Sequence, residues 1–251
     1  MYTKTKYLTA GDKALTIEYG DEISEDISSK VRSMMVALES NTIEGVIEIV
    51  PTYRSLMIHY DALIIGYDDL VKELKLLEEK LEDISLPEPE VIEIPTVYGE
   101  EYGPDIENVA HHNGITVEEV IRIHSSKEYL IYMLGFTPGF PYLGGMDEKV
   151  STPRLKEPRT KINKGSVGIA GSQTGIYPID SPGGWQLIGR TPLKLYEPNR
   201  EVPILLKAGN YIKFVPISKN QYKTIEKAIN NGTYKYKTYI KEGGKRGKWE
   251  R

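Results

Sequence analysis

The stretch that decides the fold of this chain is residues 128–193, which read EYLIYMLGFTPGFPYLGGMDEKVSTPRLKEPRTKINKGSVGIAGSQTGIYPIDSPGGWQLIGRTPL. Gly- and Pro-based turn signals interrupt its short apolar runs about every 8 to 12 residues, which is typical of a sandwich or closed barrel of short strands. The sequences TPGF at 137–140 and SPGG at 181–184 place Pro and Gly at the second and third positions of a type II turn. This half of the chain is therefore predicted to be a β-barrel or β-sandwich.

The residues before this stretch predict a further unit of α+β type. Period-2 alternation of apolar side chains predicts four strands, at residues 14–19, 45–53, 55–63 and 87–97. Apolar residues at helical spacing predict two helices, the first capped by Ser24 and the second by Asp68. The resulting order of strand, helix, strand, strand, helix, strand is the ferredoxin-like arrangement, in which two helices cover one face of an antiparallel sheet.

The composition is that of an ordinary globular chain, and it excludes several classes of site. Of the 251 residues, 39% are apolar, 27% are charged and none is Cys, which excludes thiolate nucleophiles, Cys-ligated zinc, iron–sulfur clusters and disulfides. The longest apolar run, Tyr129 to Phe136, is too short for a membrane span, and residues 1–16 lack the apolar stretch of a signal peptide. We expect a cytoplasmic protein without membrane partners and, at a net charge of −4, without nucleic-acid partners.

Residues 106–124, IENVAHHNGITVEEVIRIH, have the outline of a DNA-binding helix-turn-helix. The second helix offers two acidic residues against Arg122 alone, so a phosphate backbone would repel that face. A structural helical hairpin is therefore the favoured interpretation. The neighbouring His111 and His112 project about 100° apart on a helix and are poor co-ligands of one metal ion, so no metal site is predicted.

Positive charge and glycine concentrate in the second half of the chain. Residues 149–200 hold nine Lys or Arg against three Asp or Glu, and residues 135–190 hold 11 of the 23 glycines. Six basic side chains surround Glu157 in the sequence: Lys149, Arg154, Lys156, Arg159, Lys161 and Lys164. Glycine-rich backbone with exposed amide N–H groups beside guanidinium groups can bind a phosphate or a carboxylate. Turn formation by the glycines and a solvated charged surface are the alternative interpretations.

Three segments of the second half resemble the allophanate hydrolase subunit 1 family. They are YMLGFTPGFPYLGG at 132–145, GSVGIAGSQTGIYPIDSPGGWQLIGRTPL at 165–193 and KAGNYIKFVPI at 207–217. The resemblance is dense over residues 98–217. It implies an α+β chain with a ferredoxin-like domain at 1–97 and a cyclophilin-like β-barrel domain at 98–230, and the basic residues 231–251 are then expected to form a flexible tail.

The family resemblance also implies an activity and its partners. Together with an A subunit and a KipA-like C subunit, such a chain would open the lactam 5-oxo-L-proline to L-glutamate, using ATP with Mg²⁺. The chain has no Walker-type sequence, so an ATP site shared with a partner subunit is expected. Non-catalytic inhibition of a sensor histidine kinase, the role of the family member KipI, is the alternative. Allophanate hydrolysis finds no support, since no Ser-Ser-Lys amidase constellation is present.

The activity that the resemblance implies suggests roles for individual residues. Three are predicted to be catalytic: His124 as the base, and Arg159 and Arg190 as cations for the substrate carboxylate or a phosphate. The predicted binding residues are Gly139, Phe140, Arg154, Gly171, Gln173, Ser181, Gly184 and Trp185. Structural alternatives are that His124 closes a helix, that Phe140 and Trp185 belong to the core, and that Arg190 pairs with a carboxylate near a strand end.

Overall fold

The computed structural model describes residues 2, 4–81, 84 and 86–241. The chain divides into two compact units, and the division lies between Glu88 and Pro89. In these described ranges, no helix has the length and apolar character needed to cross a membrane.

The first unit is a four-stranded antiparallel sheet with two helices packed on one face. Its strands are β1 (Lys6–Thr9), β2 (Ala14–Glu18), β3 (Val46–Pro51) and β4 (Ser55–Tyr60), in the order β1-β2-β4-β3. Its helices are α1 (Glu25–Ser40) and α2 (Tyr67–Glu78). Alternate strand residues such as Leu15, Ile17 and Ile58 are fully buried with apolar helix residues, and together they form the core of this unit.

Local capping chemistry explains where the two helices begin. Ser24 caps α1 as predicted, and its hydroxyl oxygen accepts a hydrogen bond from the backbone N of Ile27 at 3.3 Å. Helix α2 instead begins after Gly66, and Asp68 lies in its first turn. The predicted cap, Asp68, therefore lies two residues after the actual cap, Gly66. An acidic side chain is also favoured in the first turn, by the helix dipole, so it does not by itself mark the cap position.

The ferredoxin-like arrangement predicted for the first unit is not confirmed. The segment predicted as its last strand, 87–97, contains most of β5 (Glu90–Tyr98), which belongs to the second unit and pairs in parallel with β13 (Tyr211–Pro216). In its place, β1 pairs with β2 at the edge of the first sheet. Apolar alternation identifies a strand but not its partner, because the partner is chosen by contacts with residues far along the chain.

The second unit is a nearly closed β-barrel, as the turn-dense sequence predicted. Its remaining strands are β6 (Glu128–Leu134), β7 (Pro141–Gly144), β8 (Arg159–Ile162), β9 (Ser166–Ala170), β10 (Gln173–Ile176), β11 (Ser181–Gly183), β12 (Gln186–Arg190) and β14 (Thr238–Ile240). The main sheet has the order β10-β9-β12-β5-β13-β6-β7, and its end strands β7 and β10 lie beside each other. Buried side chains such as Ile94, Val167 and Ile188 fill the interior. A cyclophilin-like topology stays a prediction.

Three helices accompany the barrel. They are α3 (Ile106–Asn113), α4 (Val117–Ser125) and α5 (Lys219–Asn230). Helices α3 and α4 form the structural hairpin favoured above, and they place Val109 and Val120 in the barrel core. Gly114 ends α3 with a φ of +66°, and a capping box between Thr116 and Glu119 starts α4. The sequence that looks like a DNA-binding motif therefore serves to cover the barrel.

Part of the segment predicted as a flexible tail is a strand. Within residues 231–241, β14 pairs antiparallel with β5 and places Tyr239 opposite Val91. The hydroxyl of Tyr239 donates to a carboxylate oxygen of Glu128 at 2.7 Å, and Lys241 forms an ion pair with the same carboxylate. The rest of the predicted tail, 242–251, lies outside the described residues.

Only one of the two predicted type II turns forms. At TPGF, the backbone N of Phe140 donates to the carbonyl of Thr137 at 3.0 Å, and Gly139 has a φ of +81°. The prediction for SPGG is wrong, because Ser181–Gly183 is strand β11, paired with β8, and Gly183 has no positive φ. Strand pairing overrides the local turn preference there.

Candidate anion-binding site

Three aromatic rings form a cluster separate from the barrel core. The ring centroids lie 5.7 Å apart for Phe140 and Tyr177, 5.6 Å for Phe140 and Trp185, and 6.0 Å for Tyr177 and Trp185, all packed edge to face. Such packing stabilises a fixed arrangement of rings. Phe140 is 3% exposed and Trp185 is 8% exposed, so both predicted binding residues are buried, and their binding roles stay predictions. We call these three residues the aromatic cluster.

Arg159 lies at the start of β8 and is held in place by Asp105. Its Nη2 lies 2.7 Å from Oδ1 of Asp105, and its Nη1 donates more weakly to the carbonyl of Trp185 at 3.4 Å. The second carboxylate oxygen of Asp105 accepts from the backbone N of Leu187 at 2.6 Å, so β12 positions the carboxylate. The Asp105 side chain is 12% exposed and that of Arg159 is 29% exposed. The guanidinium is therefore oriented by a nearly buried partner while part of it faces solvent.

Sequence reasoning missed Asp105. It lies 54 residues before Arg159 in the chain, at the start of a segment that looks like a helical hairpin. Its position immediately before α3 suggests a helix cap, yet its side chain makes no capping hydrogen bond. The sequence itself gave no signal for this role, because the missing capping hydrogen bond is visible only in the structure.

Arg154 is exposed on a loop, residues 151–158, that is tied down at several points. The backbone N of Leu155 donates to the carbonyl of Gly184 at 2.7 Å, and the backbone N of Gly171 donates to the carbonyl of Thr152 at 2.8 Å. The buried side chain of Gln186 donates to the carbonyl of Pro153 at 2.9 Å. These contacts fix the loop backbone, so Gly171 and Gly184 anchor the loop that carries Arg154. The lining of the site by these two glycines and Gly139 stays a prediction.

The positive charges of Arg154 and Arg159 both affect the pKa of one hydroxyl group, that of Tyr177. Burial raises the pKa of Tyr177 to about 12, and the positive charges of Arg154 and Arg159 oppose that rise. The geometry agrees for Arg159, because Gly183, which lies against the Tyr177 hydroxyl, is opposite Arg159 in the pairing of β8 with β11. The loop that carries Arg154 is hydrogen-bonded to Gly184, the next residue. The structure therefore places both arginine-bearing segments beside residues 183–184, at the edge of the aromatic cluster.

Two further predicted binding residues each begin a strand, and the two strands belong to different sheets. Gln173 begins β10, and Ser181 begins β11 opposite Ile162 of the ribbon formed by β8 and β11. The hydroxyl oxygen of Ser181 is buried, and among the described residues it has no hydrogen-bond partner. The roles of Gln173 and Ser181 in orienting a lactam stay predictions.

Arg190 is the last residue of β12. Its guanidinium carbon lies 5.9 Å from the ring centroid of Tyr102, and among the described residues its buried Nε has no hydrogen-bond partner. The role of Arg190 as a cation for the substrate stays a prediction.

His124 is completely buried within the second unit. Its Nδ1 lies 2.8 Å from the hydroxyl of Tyr98, and its Nε2 lies 2.8 Å from the hydroxyl of Thr174, which donates to the carbonyl of Gly168 at 3.0 Å. Because the Thr174 proton is used on that carbonyl, Nε2 carries the ring proton and Nδ1 accepts from Tyr98. Burial lowers the pKa of His124 to about 3. This environment favours a structural role, and the base role stays a prediction.

An open cavity of about 300 Å³ lies beside the aromatic cluster. It is lined by residues 134–139 and Ile204, and none of its lining residues is charged. Phe136, 67% exposed, has a φ of +60° at the centre of a γ-turn in which the backbone N of Thr137 donates to the carbonyl of Gly135 at 2.6 Å. Its ring lies 5.5 Å from that of Phe140. The cavity is thus apolar and distinct from the arginine pair.

Metal and nucleotide binding find limited support among the residues present. No group of three His, Cys, Asp or Glu side chains that could hold a metal ion occurs in the described ranges. The guanidinium groups of Arg154 and Arg159 are suited to a phosphate or a carboxylate. Binding of ATP and Mg²⁺ stays a prediction.

Comparison with known proteins places this geometry in context. A family model described as carboxyltransferase domain, subdomain C and D, matches residues 5–206. The chain is 44% identical to the B subunit of 5-oxoprolinase from Bacillus subtilis over 230 residues, which are 88% of this chain and 96% of the relative. It is 41% identical to the B subunit of 5-oxoprolinase from Escherichia coli O157:H7 over 209 residues, which are 82% of this chain and 93% of the relative.

Solved structures with a similar fold include both a short chain and a long one. A conserved uncharacterized protein of Pyrococcus horikoshii is 47% identical with a TM-score of 0.52, covering 86% of this chain and 100% of that one. The urea carboxylase of Kluyveromyces lactis is 22% identical with a TM-score of 0.76, covering 94% of this chain and 24% of that one. The second likeness concerns the fold alone.

Proposed function

Because this chain belongs to the family of 5-oxoprolinase B subunits, which carry carboxyltransferase subdomains C and D, we propose that its arginine pair forms an oxyanion-binding wall of the active site. The chain is a subunit of a 5-oxoprolinase, a hydrolase that acts as a multi-subunit complex. In the proposed reaction the complex opens 5-oxo-L-proline to L-glutamate with ATP, and an A subunit and a C subunit complete the site.

The single observation that carries the proposal is the orientation of Arg159 by Asp105. The carboxylate accepts a hydrogen bond from one N–H group of the guanidinium at 2.7 Å. A guanidinium has five N–H donors in one plane, so this bond also fixes the plane in which the other donors lie. A partly exposed cation that is oriented before ligand arrives loses little conformational entropy when it binds an oxyanion.

Arg154 adds a second positive charge at the same place. Its loop is anchored by the backbone contacts with Gly171 and Gly184, and its charge reaches the same hydroxyl of Tyr177 as that of Arg159. Two guanidinium groups carried by neighbouring segments suit a substrate carboxylate or a phosphate, since both ligands accept paired N–H donors.

The chemistry of lactam opening explains why such a wall is needed. An unstrained amide is a poor electrophile, and ATP, when bound, supplies a phosphoryl group that activates the amide oxygen. The part of this chain in that reaction is to bind and orient the oxyanion and to offset its negative charge with Arg154 and Arg159. A role as a non-catalytic kinase inhibitor is not favoured by relatives named as enzyme subunits.

Arg159→Ala is the experiment that tests the proposal. In the enzyme reconstituted with the A and C subunits, we expect kcat/KM for 5-oxo-L-proline to fall about a hundredfold, because a hydrogen bond to a charged group is worth about 1.5 to 3 kcal/mol. Arg159→Lys should recover only part of this loss, since an ammonium group cannot reproduce the planar fork. The measurement is the rate of L-glutamate release dependent on ATP.

Arg54→Ala is a matched control for this experiment. Arg54 also forms an ion pair, with Glu18 at 3.6 Å, but it lies in the first unit. The control variant should keep the rate of the unaltered enzyme. L-glutamate release at an undiminished rate by Arg159→Ala would remove this residue, and with it the proposed wall, from the mechanism.

A further inference from the structure

The hydroxyl of Tyr177 lies directly over Gly183. A Cβ atom at Gly183 would come within 2.4 Å of this hydroxyl oxygen, so the oxygen occupies the space that any side chain at that position would take. Gly183 lies in β11 opposite Arg159 in β8. The absence of a side chain at Gly183 thus brings the Tyr177 hydroxyl to the ribbon that carries Arg159.

The position of this hydroxyl is rigidly determined by the rest of the residue. The backbone N of Tyr177 donates to the carbonyl of Ser166 at 2.9 Å, and its carbonyl accepts from the backbone N of Gly165 at 2.7 Å. Its ring is held edge to face by both other members of the aromatic cluster, and the residue is 2% exposed. Only small displacements of the hydroxyl are compatible with these contacts.

The charges around the hydroxyl decide what it can bind. Because burial raises the pKa of Tyr177 to about 12, the phenol keeps its proton at neutral pH and remains a donor. The guanidinium groups of Arg154 and Arg159 are donors only and cannot accept that proton. An oxyanion bound by the two arginines would be an acceptor for all three side chains.

We propose that Tyr177 is a substrate-contacting residue whose hydroxyl donates a hydrogen bond to the oxyanion that Arg154 and Arg159 bind. This inference rests on the proposed function and deepens it, because it adds a neutral donor of fixed position to the two cations. A third donor of fixed position selects ligands by shape as well as charge. An anion whose oxygen atoms do not reach the phenol would leave its proton without an acceptor. The oxyanion is the carboxylate of 5-oxo-L-proline or a phosphate group of ATP.

Tyr177→Phe in the reconstituted enzyme tests the inference, because the variant removes one oxygen atom and keeps the ring. A hydrogen bond to a charged group is worth enough to change affinity roughly tenfold or more. We expect KM for 5-oxo-L-proline to rise by that factor, with kcat nearly unchanged, if the oxyanion is the substrate carboxylate. If it is a phosphate, the same rise appears in KM for ATP instead.

Tyr222→Phe provides the matched control, since Tyr222 is also a buried tyrosine of the second unit but packs against Tyr102. It should leave both KM values unchanged. Both KM values of Tyr177→Phe within twofold of those of the unaltered enzyme would overturn the inference. A lower thermal midpoint of unfolding with a fall in kcat alone would also overturn it, because that result describes a structural role.

Arg159→Ala, measured in parallel, separates this inference from the proposed function. A large loss for Arg159→Ala with no change for Tyr177→Phe would leave the arginine wall standing and reject only the role of Tyr177. An Arg159→Ala enzyme with full activity would reject the proposed function itself. Losses in both variants, with the KM effects described above, support both.

Discussion

Lowering the pH from 7 to 4 is expected to reduce the free energy of unfolding by about 3 kcal/mol through His124 alone. The ring is buried, and its pKa in the folded chain is lowered to about 3. A histidine in the unfolded chain has a pKa of about 6.5. Between these two values the unfolded state binds the extra proton, so the contribution of His124 is complete above pH 6.5 and declines by about 1.4 kcal/mol per pH unit as the pH falls towards 3.

The measurement is the free energy of unfolding by urea at a series of pH values between 7 and 4. His124→Gln keeps a donor and an acceptor for Tyr98 and Thr174 but removes the titrating ring. This variant is expected to be less stable at pH 7 and to have a shallower dependence of stability on pH. The control is His112→Gln, which alters an exposed residue of α3.

The difference in slope between the unaltered chain and His124→Gln isolates this group from the carboxylates that titrate in the same range. Parallel pH profiles for the two proteins would show that His124 is not buried in a neutral form. They would also reopen the prediction that the ring meets a substrate, since a solvated imidazole could then serve as a base.

Asp105→Ala is expected to destabilise the second unit by about 1 to 3 kcal/mol, the cost of leaving a buried donor without its acceptor. The substitution leaves Arg159 without its carboxylate and the buried backbone N of Leu187 without its acceptor. Asp105→Asn retains one carbonyl oxygen and can satisfy only one of these donors, so its effect should be smaller. Urea unfolding at pH 7 gives the comparison.

Two further measurements make the Asp105 prediction specific. The amide proton of Leu187 should exchange with solvent faster in Asp105→Ala than in the unaltered chain, because its acceptor at 2.6 Å is gone. The matched control is Lys161→Ala, which breaks an exposed ion pair with Asp180 at 3.1 Å and should cost at most about 1 kcal/mol. A loss below about 1 kcal/mol for Asp105→Ala would contradict the buried pair.

Sequence reasoning found part of the candidate site because part of it is local. Arg154 and Arg159 are five positions apart in one basic, glycine-rich segment, and the positive charges of both oppose the rise in the pKa of Tyr177. Asp105 and Tyr177 were missed because nothing in their own neighbourhood marks them. Their roles depend on a contact with Arg159 across 54 residues and on the close approach to Gly183.

The contacts of two other predicted residues could not be read from the sequence. Arg190 follows Trp185 by five positions, and its guanidinium lies beside the ring of Tyr102. His124 lies just before the glycine-rich half, and its ring forms hydrogen bonds with Tyr98 and Thr174. These partners lie far along the chain, so no local sequence pattern indicates them.

By itself, the sequence determined what short-range physical chemistry controls: apolar periodicity, the capping residue of α1, the type II turn at Gly139 and the turn-dense texture of a barrel. Tertiary structure alone decided that β5 joins the barrel, that Asp105 orients Arg159 and that Arg190 lies beside Tyr102. The physical reason is that these outcomes depend on pairing and burial between residues far apart in the chain. The free energy of each such contact exists only after the whole core has formed.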